Sequence, residues 1–321
     1  MSPTVAAASV VAALAVAVAL DLVVGEPPSR LHPVAWFGSV VGAVDRSWSH
    51  PRLVAVAVAV GLPTSAAVLA AVAVAVAVST NPILGVLVAG AALFTTVSLR
   101  MLLDVTATVV DQTETDPSAA RESVRALVGR DAATLSPADL RSAAVESAAE
   151  NLADGFVAPV AGFAVGSTVG VVVAPAAALP LGVGVAVWVK GVNTLDSMLG
   201  YRSKPVGWAS ARLDDAVMLL PARASAACLA VASGSVASLR RARSWAREPA
   251  SPNSGWPMAT AAAALDVRLE KPGHYALNPD AAAPSLADAR EAVRLVGVAG
   301  GLAVAVTAGW LVAVAGVIAW L

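Results

Sequence analysis

The amino-acid sequence predicts an all-α, polytopic integral membrane protein with about four to six membrane-inserted helices and further helical segments in the cytoplasm. Hydrophobic residues make up 58% of the 321 residues, and the mean hydropathy is +0.75, which is too apolar for an ordinary soluble domain. The apolar residues are mostly Ala and Val, and they occur in blocks of about 18 or more, the length that crosses a bilayer as a helix.

Six apolar segments are predicted to enter the membrane within a single domain of residues 1–321. The first segment lacks a basic leader and a cleavage site, so we expect a retained helix and not a removed signal peptide. Prolines break the fourth segment into a hairpin, and the fifth is either a span or a re-entrant segment. The six segments are about 4–24, 53–78, 82–99, 156–189, 216–237 and 295–321.

The distribution of basic residues predicts the orientation in the membrane. Arg30, Arg46 and Arg52 precede the hairpin of residues 53–99 and Arg100 follows it, whereas the tip of this hairpin is uncharged. Basic loops stay in the cytoplasm, so we expect a multi-pass protein of the inner, cytoplasmic membrane whose active face is cytoplasmic. The predicted cytoplasmic segments are about 25–52, 100–155, 190–215 and 238–292.

Charge and cysteine content exclude other classes of function. The net charge is −1, and nucleic acid is not expected as a partner because phosphate backbones need a concentrated basic surface. The single cysteine, Cys228, allows no internal disulfide and no cysteine-based metal cluster. The sequence also has no G-x-x-x-x-G-K-[ST] phosphate loop, no H-E-x-x-H and no G-x-S-x-G.

The stretch from Arg141 to Arg223 holds most of the candidate functional residues. Charged groups beside a bilayer are costly to desolvate, which makes each of them a candidate for function. Glu146, Glu150 and Asp154 follow one another at steps of four and so share one helical face. This face is either solvated and offset by nearby arginines, or it binds a divalent cation such as Mg²⁺ through carboxylate oxygens.

A second polar helical face begins at Lys190. Asn193, Thr194 and Ser197 lie on the same face as this lysine, and Asp196 lies beside them. Such a mixture of groups could hold a phosphate or a polar substrate, or it could form a capping and turn network.

Two further features leave alternatives open. Arg212 and Asp215 are three residues apart, which suits either an ordinary helix ion pair or a phosphate and metal pair. In the loop of residues 25–34, which follows Asp21, three prolines favour an extended segment at the membrane surface. His32 in this loop is either held by its neighbours or contacts a substrate.

Several motifs together resemble the CobD/CbiB family, the membrane-bound adenosylcobinamide-phosphate synthases of cobalamin biosynthesis. Their order and spacing cover most of the chain. The motifs are D-L-V-V-G-E-P-P-S-R-L-H-P-V (21–34), V-G-R-D (128–131), V-E-S-A-A-E-N-L-A-D-G-F-V-A-P (145–159), K-G-V-N-T-L-D-S-M-L-G-Y-R (190–202), S-A-R-L-D-D-A-V-M-L-L-P-A-R (210–223) and S-P-N-S-G-W-P (251–257). Two departures concern the C-terminal loop: Pro249 stands where a histidine is usual, and Glu270 and Lys271 replace a glycine pair before Tyr275.

The resemblance implies an ATP-dependent amide ligase. It would join a propionate carboxylate of adenosylcobyric acid to 1-aminopropan-2-ol or its O-phosphate, giving adenosylcobinamide or its phosphate. The implied partners are the corrinoid, the amine, ATP with Mg²⁺ and the lipid bilayer, and association with other membrane enzymes of the pathway is compatible with this role. The expected route is activation of the carboxylate as an acyl phosphate, followed by aminolysis.

The resemblance also suggests roles for individual residues. Lys190, Arg202 and Arg212 are expected to stabilise phosphate groups, and Asp196 is the candidate base. The expected metal ligands are Glu146, Glu150, Asp154, Asp214 and Asp215. The expected substrate-binding residues are His32, Asn151, Asn193, Thr194, Ser197, Tyr201, Arg223 and Asn253.

Two other classes of function compete with this interpretation. Broken helices and charges at membrane depth also suit a transporter, but the sequence halves show no convincing inverted repeat. The D-G-x-x-A sequence at 154–158 begins like the signature of CDP-alcohol phosphotransferases, but Pro159 stands where that signature needs arginine.

Overall fold

The computed structural model describes residues 2–127, 132–201 and 203–320. The V-G-R-D motif at 128–131 and the predicted catalytic residue Arg202 therefore lie outside the described residues. The chain, which was expected to form one domain, divides into two compact units, each made of separate chain segments. Unit 1 comprises Met1–Ser98, Ala158–Val217 and Val304–Leu321, and unit 2 comprises Leu99–Val157 and Met218–Ala303.

Helices account for most of the described chain. In order they are α1 (Pro3–Val24), α2 (Pro33–Val44), α3 (Pro51–Thr80), α4 (Pro82–Phe94), α5 (Leu99–Thr115), α6 (Pro117–Ser123), α7 (Pro137–Leu152), α8 (Ala158–Val173), α9 (Ala178–Leu199), α10 (Trp208–Val217), α11 (Leu219–Ala232), α12 (Val236–Ala242), α13 (Gly255–Leu265) and α14 (Leu286–Trp320). Two short strands, β1 (Leu269–Lys271) and β2 (Tyr275–Leu277), form an antiparallel hairpin that the sequence analysis did not predict.

Length and composition confirm an all-α polytopic membrane protein. Among the described residues, six helical segments are long and apolar enough to cross a bilayer, or seven if the bent pair formed by α10 and α11 counts as one span. Many side chains on these segments face outward although they are apolar, as Leu69 on α3 does with 72% of its surface exposed. Outward-facing apolar side chains are what a lipid environment requires.

Proline marks where many of the helices begin. The first-turn N–H groups of a helix have no intrahelical partner, so proline loses no hydrogen bond there and its backbone angle already suits a helix. Six helices start in this way, at Pro3, Pro33, Pro51, Pro82, Pro117 and Pro137. The same reasoning explains why Pro180 does not break α9, since it lies in the first turn, whereas Pro159 directly follows the π-helical turn Ala153–Val157.

In unit 1, α8 and α9 form a tightly packed hairpin with its break at residues 174–177. Gly166 of α8 lies so close to α9 that a Cβ atom would overlap the backbone carbonyl of Leu181. Small residues that let two backbones approach are a common way to associate helices in membranes, where burial of apolar surface gives little drive. This hairpin carries Lys190 and the polar face that follows it.

In unit 2, α7 is surrounded by other elements and is almost wholly buried from Ser142 to Ala149. Helices α5 and α13 and strand β1 pack against it. Its start is a capping box, in which Ser136 and Asp139 each bind the backbone N–H of the other. The helix continues into a π-helical turn, Ala153–Val157, just before Pro159, and turns of this kind are frequent at functional sites.

Candidate functional site

In unit 1, the polar face of α9 is partly engaged by its own backbone. The Thr194 hydroxyl donates to the carbonyl of Lys190 at 2.8 Å, and the Ser197 hydroxyl donates to the carbonyl of Asn193 at 2.9 Å. Such bonds occupy the hydroxyl protons and leave the oxygen lone pairs able to accept. Asn193 is buried, whereas Ser197 is exposed at the end of the helix. The predicted face therefore forms as a helical face, with a buried and an accessible end.

Two predicted acids and one predicted cation come together where α9 and α10 meet. The carboxylates of Asp196 on α9 and Asp215 on α10 interact electrostatically, and Arg212 interacts with Asp215. The Asp196 side chain lies over Gly200, where a Cβ atom would overlap its carboxylate. Two like charges drawn from different helices attract a cation, so this pair with its guanidinium is suited to a phosphate-bound metal ion.

Two other predicted residues lie close to this pair in the sequence. Tyr201 is exposed, with Lys204 lying over its ring at 5.4 Å from the centroid. Asp214 is half-buried on α10.

The loop before α2 contains a second polar cluster of unit 1. The buried ring of His32 has a protein partner at both nitrogens: Nδ1 accepts from the backbone N–H of Val34 at 3.1 Å, and Nε2 lies 2.8 Å from Oε1 of Glu26. The first contact caps α2 at its N-terminus. The prediction that His32 binds substrate stays a prediction, but in the structure the histidine holds Glu26.

This cluster adjoins an apolar cavity of about 590 Å³ between α2, α3, α4 and α9. Its wall includes Pro33 and Val34, which directly follow His32, and the polar residues Lys190 and Thr194. Lys190 and Asp21 both interact electrostatically with Glu26. Burial raises the pKa of the Glu26 carboxyl above its usual value, and the positive charge of Lys190 acts against this shift.

In unit 2, Glu146 joins α7 to the β-hairpin. Its side chain is buried, and its two oxygens accept from the Ser142 hydroxyl at 3.0 Å and from the Tyr275 hydroxyl at 2.6 Å. Ser142 in turn accepts from the backbone N–H of Glu270 at 2.8 Å. These hydrogen bonds give Glu146 a structural role in joining α7 to the hairpin, and its role as a metal ligand stays a prediction.

The other predicted residues of α7 share its next turns. The Asn151 amide donates to both the carbonyl and the hydroxyl of Ser147 at 3.0 Å, which holds it against its own helix. Glu150 and Asp154 are half-buried, and Asp154 lies in the π-helical turn.

Arg223 and Asn253, two predicted substrate-binding residues, contact each other in unit 2. The guanidinium donates to Oδ1 of Asn253 at 2.7 Å and to the carbonyl of Leu219 at 2.8 Å, and it lies 5.2 Å from the ring centroid of Trp256. Arg247 interacts electrostatically with Arg223. A guanidinium beside an indole ring, with the charge of Arg247 acting on it, favours an anionic or aromatic ligand.

The described residues contain no group of three or more His, Cys, Asp or Glu side chains that could hold a metal ion. The predicted metal ligands therefore do not form a protein cage within this part of the chain. Mg²⁺ in phosphoryl-transfer sites needs only one or two carboxylates, because substrate phosphates and water supply the other oxygens. The Asp196 and Asp215 pair meets that requirement, so the donor set fits a nucleotide-bound Mg²⁺.

Three contributors to these clusters were not predicted from the sequence. Glu26 lies in a recognised motif, but its partner is six residues away across two prolines, a spacing that no helical pattern reveals. Tyr275 reaches Glu146 from a hairpin that was not predicted. Arg247 lies outside every motif, and only the fold brings it near Arg223.

The fold and the polar clusters at the ends of its helices define a multi-pass, all-α membrane protein with the groups of an enzyme site. The model of one family, described as CobD/Cbib protein, matches residues 14–318. The chain belongs to the CobD/CbiB family, as its motifs predicted, and this family is one of cobalamin biosynthesis. The membership is consistent with the predicted enzyme class, an adenosylcobinamide-phosphate synthase.

Curated relatives match over nearly their whole length. A probable cobalamin biosynthesis protein CobD of Methanothrix thermoacetophila is 34% identical over 298 residues, which cover 88% of this chain and 91% of that protein. The cobalamin biosynthesis protein CobD of Rhodobacter capsulatus is 37% identical over 83% of both chains. That of Klebsiella pneumoniae is 33% identical over 92% of this chain and 97% of its own. No solved structure matches the chain.

Proposed function

We propose that this protein is an ATP-dependent adenosylcobinamide-phosphate synthase. It joins a propionate carboxylate of adenosylcobyric acid to the amine of 1-aminopropan-2-ol or its O-phosphate. The observation that carries the proposal is the family match across residues 14–318, together with relatives named for cobalamin biosynthesis.

The chemistry requires activation of the carboxylate. A carboxylate is a poor electrophile, so transfer of a phosphoryl group from ATP would convert it to an acyl phosphate, with ADP as the leaving group. The amine then attacks the acyl carbon, the C–N bond forms and inorganic phosphate leaves. Phosphoryl transfer needs positive charge near the phosphates, and attack by the amine needs a base near the nitrogen.

The cluster of Asp196, Asp215 and Arg212 in unit 1 supports the phosphoryl-transfer half of the reaction. Arg212 would bind phosphate oxygens. Asp215, a predicted metal ligand, would hold Mg²⁺ together with Asp196, for which the sequence suggested the role of a base. Mg²⁺ supplies neutralisation of the charge that develops on the transferring phosphoryl group. Arg202, outside the described residues, and Lys190 on α9 are proposed as further phosphate-binding cations.

The Arg223 and Asn253 contact in unit 2 supports a substrate-binding role for this loop. Arg223 is oriented by Asn253 and lies near Trp256, an arrangement that presents a guanidinium beside a flat apolar ring. A corrinoid combines amide side chains with a wide apolar macrocycle, and such a surface suits it.

The proposal places the active face at the cytoplasmic side of the cytoplasmic membrane. Basic residues flank the ends of the candidate spans on the side of Arg30 and Arg52, which the positive-inside rule assigns to the cytoplasm. ATP and the corrinoid are then available from that side. Association with other membrane enzymes of the pathway is part of the same proposal.

Product formation tests the proposal. Detergent-purified protein is given adenosylcobyric acid, ATP with Mg²⁺ and either aminopropanol or its phosphate, and the corrinoid products are identified by mass spectrometry. We expect an amide product that depends on ATP and on the amine, and the preferred amine identifies the product. Asp196→Asn and Arg212→Gln should reduce the rate by about 100-fold or more.

Glu122→Gln is the matched control, because this acid forms an exposed ion pair with Arg125 on the surface. It should keep wild-type activity. Absence of any amide with either amine, from protein that is folded by circular dichroism, would reject the ligase and return attention to a transporter or a CDP-alcohol transferase.

A further inference from the structure

Glu26 is the most accessible member of a polar cluster that the motifs alone did not assign. Its side chain is 31% exposed, whereas that of its partner His32 is 7% exposed. One carboxylate oxygen of Glu26 is held at 2.8 Å by the ring of His32. A carboxylate that is anchored on one side and open on the other can receive a proton from a soluble molecule.

Hydrogen bonding assigns the tautomer of His32. The backbone N–H of Val34 donates to Nδ1, so that nitrogen acts as an acceptor and carries no proton. The proton of a neutral ring then lies on Nε2, which points at Oε1 of Glu26. His32 thus donates a hydrogen bond to the carboxylate, and the cap of α2 keeps the ring in this orientation.

Charged groups from two spanning helices face Glu26. Asp21 near the end of α1 is buried and repels a negative charge on Glu26, whereas Lys190 of α9 favours it. Lys190, Pro33 and Val34 also line the cavity of about 590 Å³, so the cluster lies beside a space that can admit a small ligand.

We propose that Glu26 is the general base that takes the proton of the substrate ammonium, and that His32 is the positioning residue that holds Glu26 in place. The inference rests on the proposed function, because it needs an amine as the second substrate. It assigns the amine-binding end of the reaction to the loop before α2 in unit 1.

Proton transfer from the substrate ammonium to Glu26 precedes formation of the C–N bond. The primary ammonium of the substrate transfers one proton to the free oxygen of Glu26, which becomes a carboxylic acid, and the nitrogen keeps its lone pair. That lone pair forms the C–N bond to the acyl phosphate, the C–O bond to the phosphate breaks and inorganic phosphate leaves. The nitrogen loses its second proton to the departing phosphate, and Glu26 returns its proton to water.

Burial supports this role for Glu26. A base works best when its pKa lies near the operating pH, and burial raises the pKa of the Glu26 carboxyl while Asp21 adds to the shift and His32 and Lys190 oppose it. An alkyl ammonium carries its proton at neutral pH, as a lysine side chain does, so the substrate cannot attack until a base has removed it.

Two amines separate base catalysis from carboxylate activation. Hydroxylamine is unprotonated at neutral pH and attacks acyl phosphates without a base, giving a coloured hydroxamate with iron. Aminopropanol, or its phosphate, is protonated and needs the base. We expect Glu26→Gln to reduce amide formation by about 100-fold or more and to leave hydroxamate formation within about twofold of wild type.

The pH profile gives a second readout. With the natural amine, the wild-type rate should rise with pH as Glu26 loses its proton and then level off, whereas the Glu26→Gln rate should stay below it and rise only in proportion to the unprotonated amine. His32→Asn is the matched variant, because asparagine is also a good helix cap and can accept from Val34 but does not reach Glu26. It should reduce amide formation about tenfold and leave hydroxamate formation unchanged.

The outcomes distinguish the two proposals. Amide formation by Glu26→Gln at the wild-type rate overturns the role of Glu26 but not the proposed ligase activity. An equal reduction of amide and hydroxamate formation has the same meaning. If Glu26→Gln does not fold, His32→Asn decides in the same way. Neither amide nor hydroxamate from wild-type protein overturns the ligase, and the role of Glu26 with it.

Discussion

The hydroxyl of Tyr275 donates a 2.6 Å hydrogen bond to Oε2 of Glu146, a residue 129 positions earlier in the chain. The bond ties the β-hairpin to α7 within unit 2. The Glu146 carboxylate is buried, so removing the Tyr275 hydroxyl would leave this carboxylate with one hydrogen bond fewer to offset its desolvation.

We therefore expect Tyr275→Phe to destabilise the protein by about 1.5–3 kcal/mol, the range for a hydrogen bond to a charged group. The measurement is the midpoint of thermal unfolding in detergent. Tyr201→Phe is the matched control, since the chain has two tyrosines and Tyr201 is 54% exposed. Equal midpoints for the two variants would contradict the structural role of the Tyr275 bond.

Close packing of α8 on α9 makes a prediction about two glycines. Gly166→Ala should destabilise the protein by about 1–3 kcal/mol, because its new methyl group would overlap the carbonyl of Leu181. Gly61→Ala places the same methyl group in open space on α3 and should be neutral or stabilising by about 0.5–1 kcal/mol. Unfolding midpoints compared in one detergent test the pair, and a stabilising Gly166→Ala would disprove the close approach.

The ion pair of Arg241 with Asp266 predicts a dependence of stability on pH. The guanidinium lies 2.7 Å from the carboxylate and, by its hydrogen bond, lowers the pKa of Asp266 below its ordinary value of 3.8. A lowered pKa in the folded state stabilises the protein above pH 3.8, and this contribution is lost as the pH falls through the lowered folded value.

Asp266→Asn should therefore be less sensitive than wild type to acid below about pH 4, as measured by unfolding at a series of pH values. Asparagine tolerates the left-handed backbone that Asp266 adopts with φ of 53°, so backbone strain does not confuse the comparison. Arg241→Gln should also remove this loss of stability at acid pH. A wild-type acid response in both variants would show that another group is responsible.

Contact of Arg223 with Asn253 predicts a combined effect on stability and substrate binding. Asn253→Ala removes an acceptor held at 2.7 Å from a guanidinium nitrogen and should cost about 1.5–3 kcal/mol of stability. If the corrinoid contacts this loop, the KM for the corrinoid rises while that for ATP stays constant. Asn253→Asp keeps the acceptor and should retain stability, and an equal loss in both variants would refute the contact.

Periodic features were the ones that sequence could predict. The α9 face from Lys190 to Ser197 forms as its spacing predicted, and proline positions predicted the hairpin break before α9. Proline positions were less reliable as a guide to breaks, because Pro180 lies in a first turn, where a helix tolerates it, and Pro159 follows a π-helical turn within a continuing helix.

Long-range contacts could not be predicted in the same way. Nothing in the spacing of Asp196 and Asp215 says that their carboxylates interact, since that depends on how α10 packs against α9. Short strands such as β1 and β2 carry too few residues to show an alternating pattern. Glu26 was overlooked because its partner is set by a proline-rich loop and not by a helical repeat.

The division of the chain into two units has a consequence for biosynthesis. Both units take their last segment from α14, with unit 2 ending at Ala303 and unit 1 resuming at Val304. The ribosome synthesises the N-terminus first, so unit 1, which begins with α1, is complete only after the C-terminal half of α14 has been synthesised. Neither unit can therefore be completed before the other during synthesis except by the residues of α14, and a stop codon before α14 would leave both units incomplete.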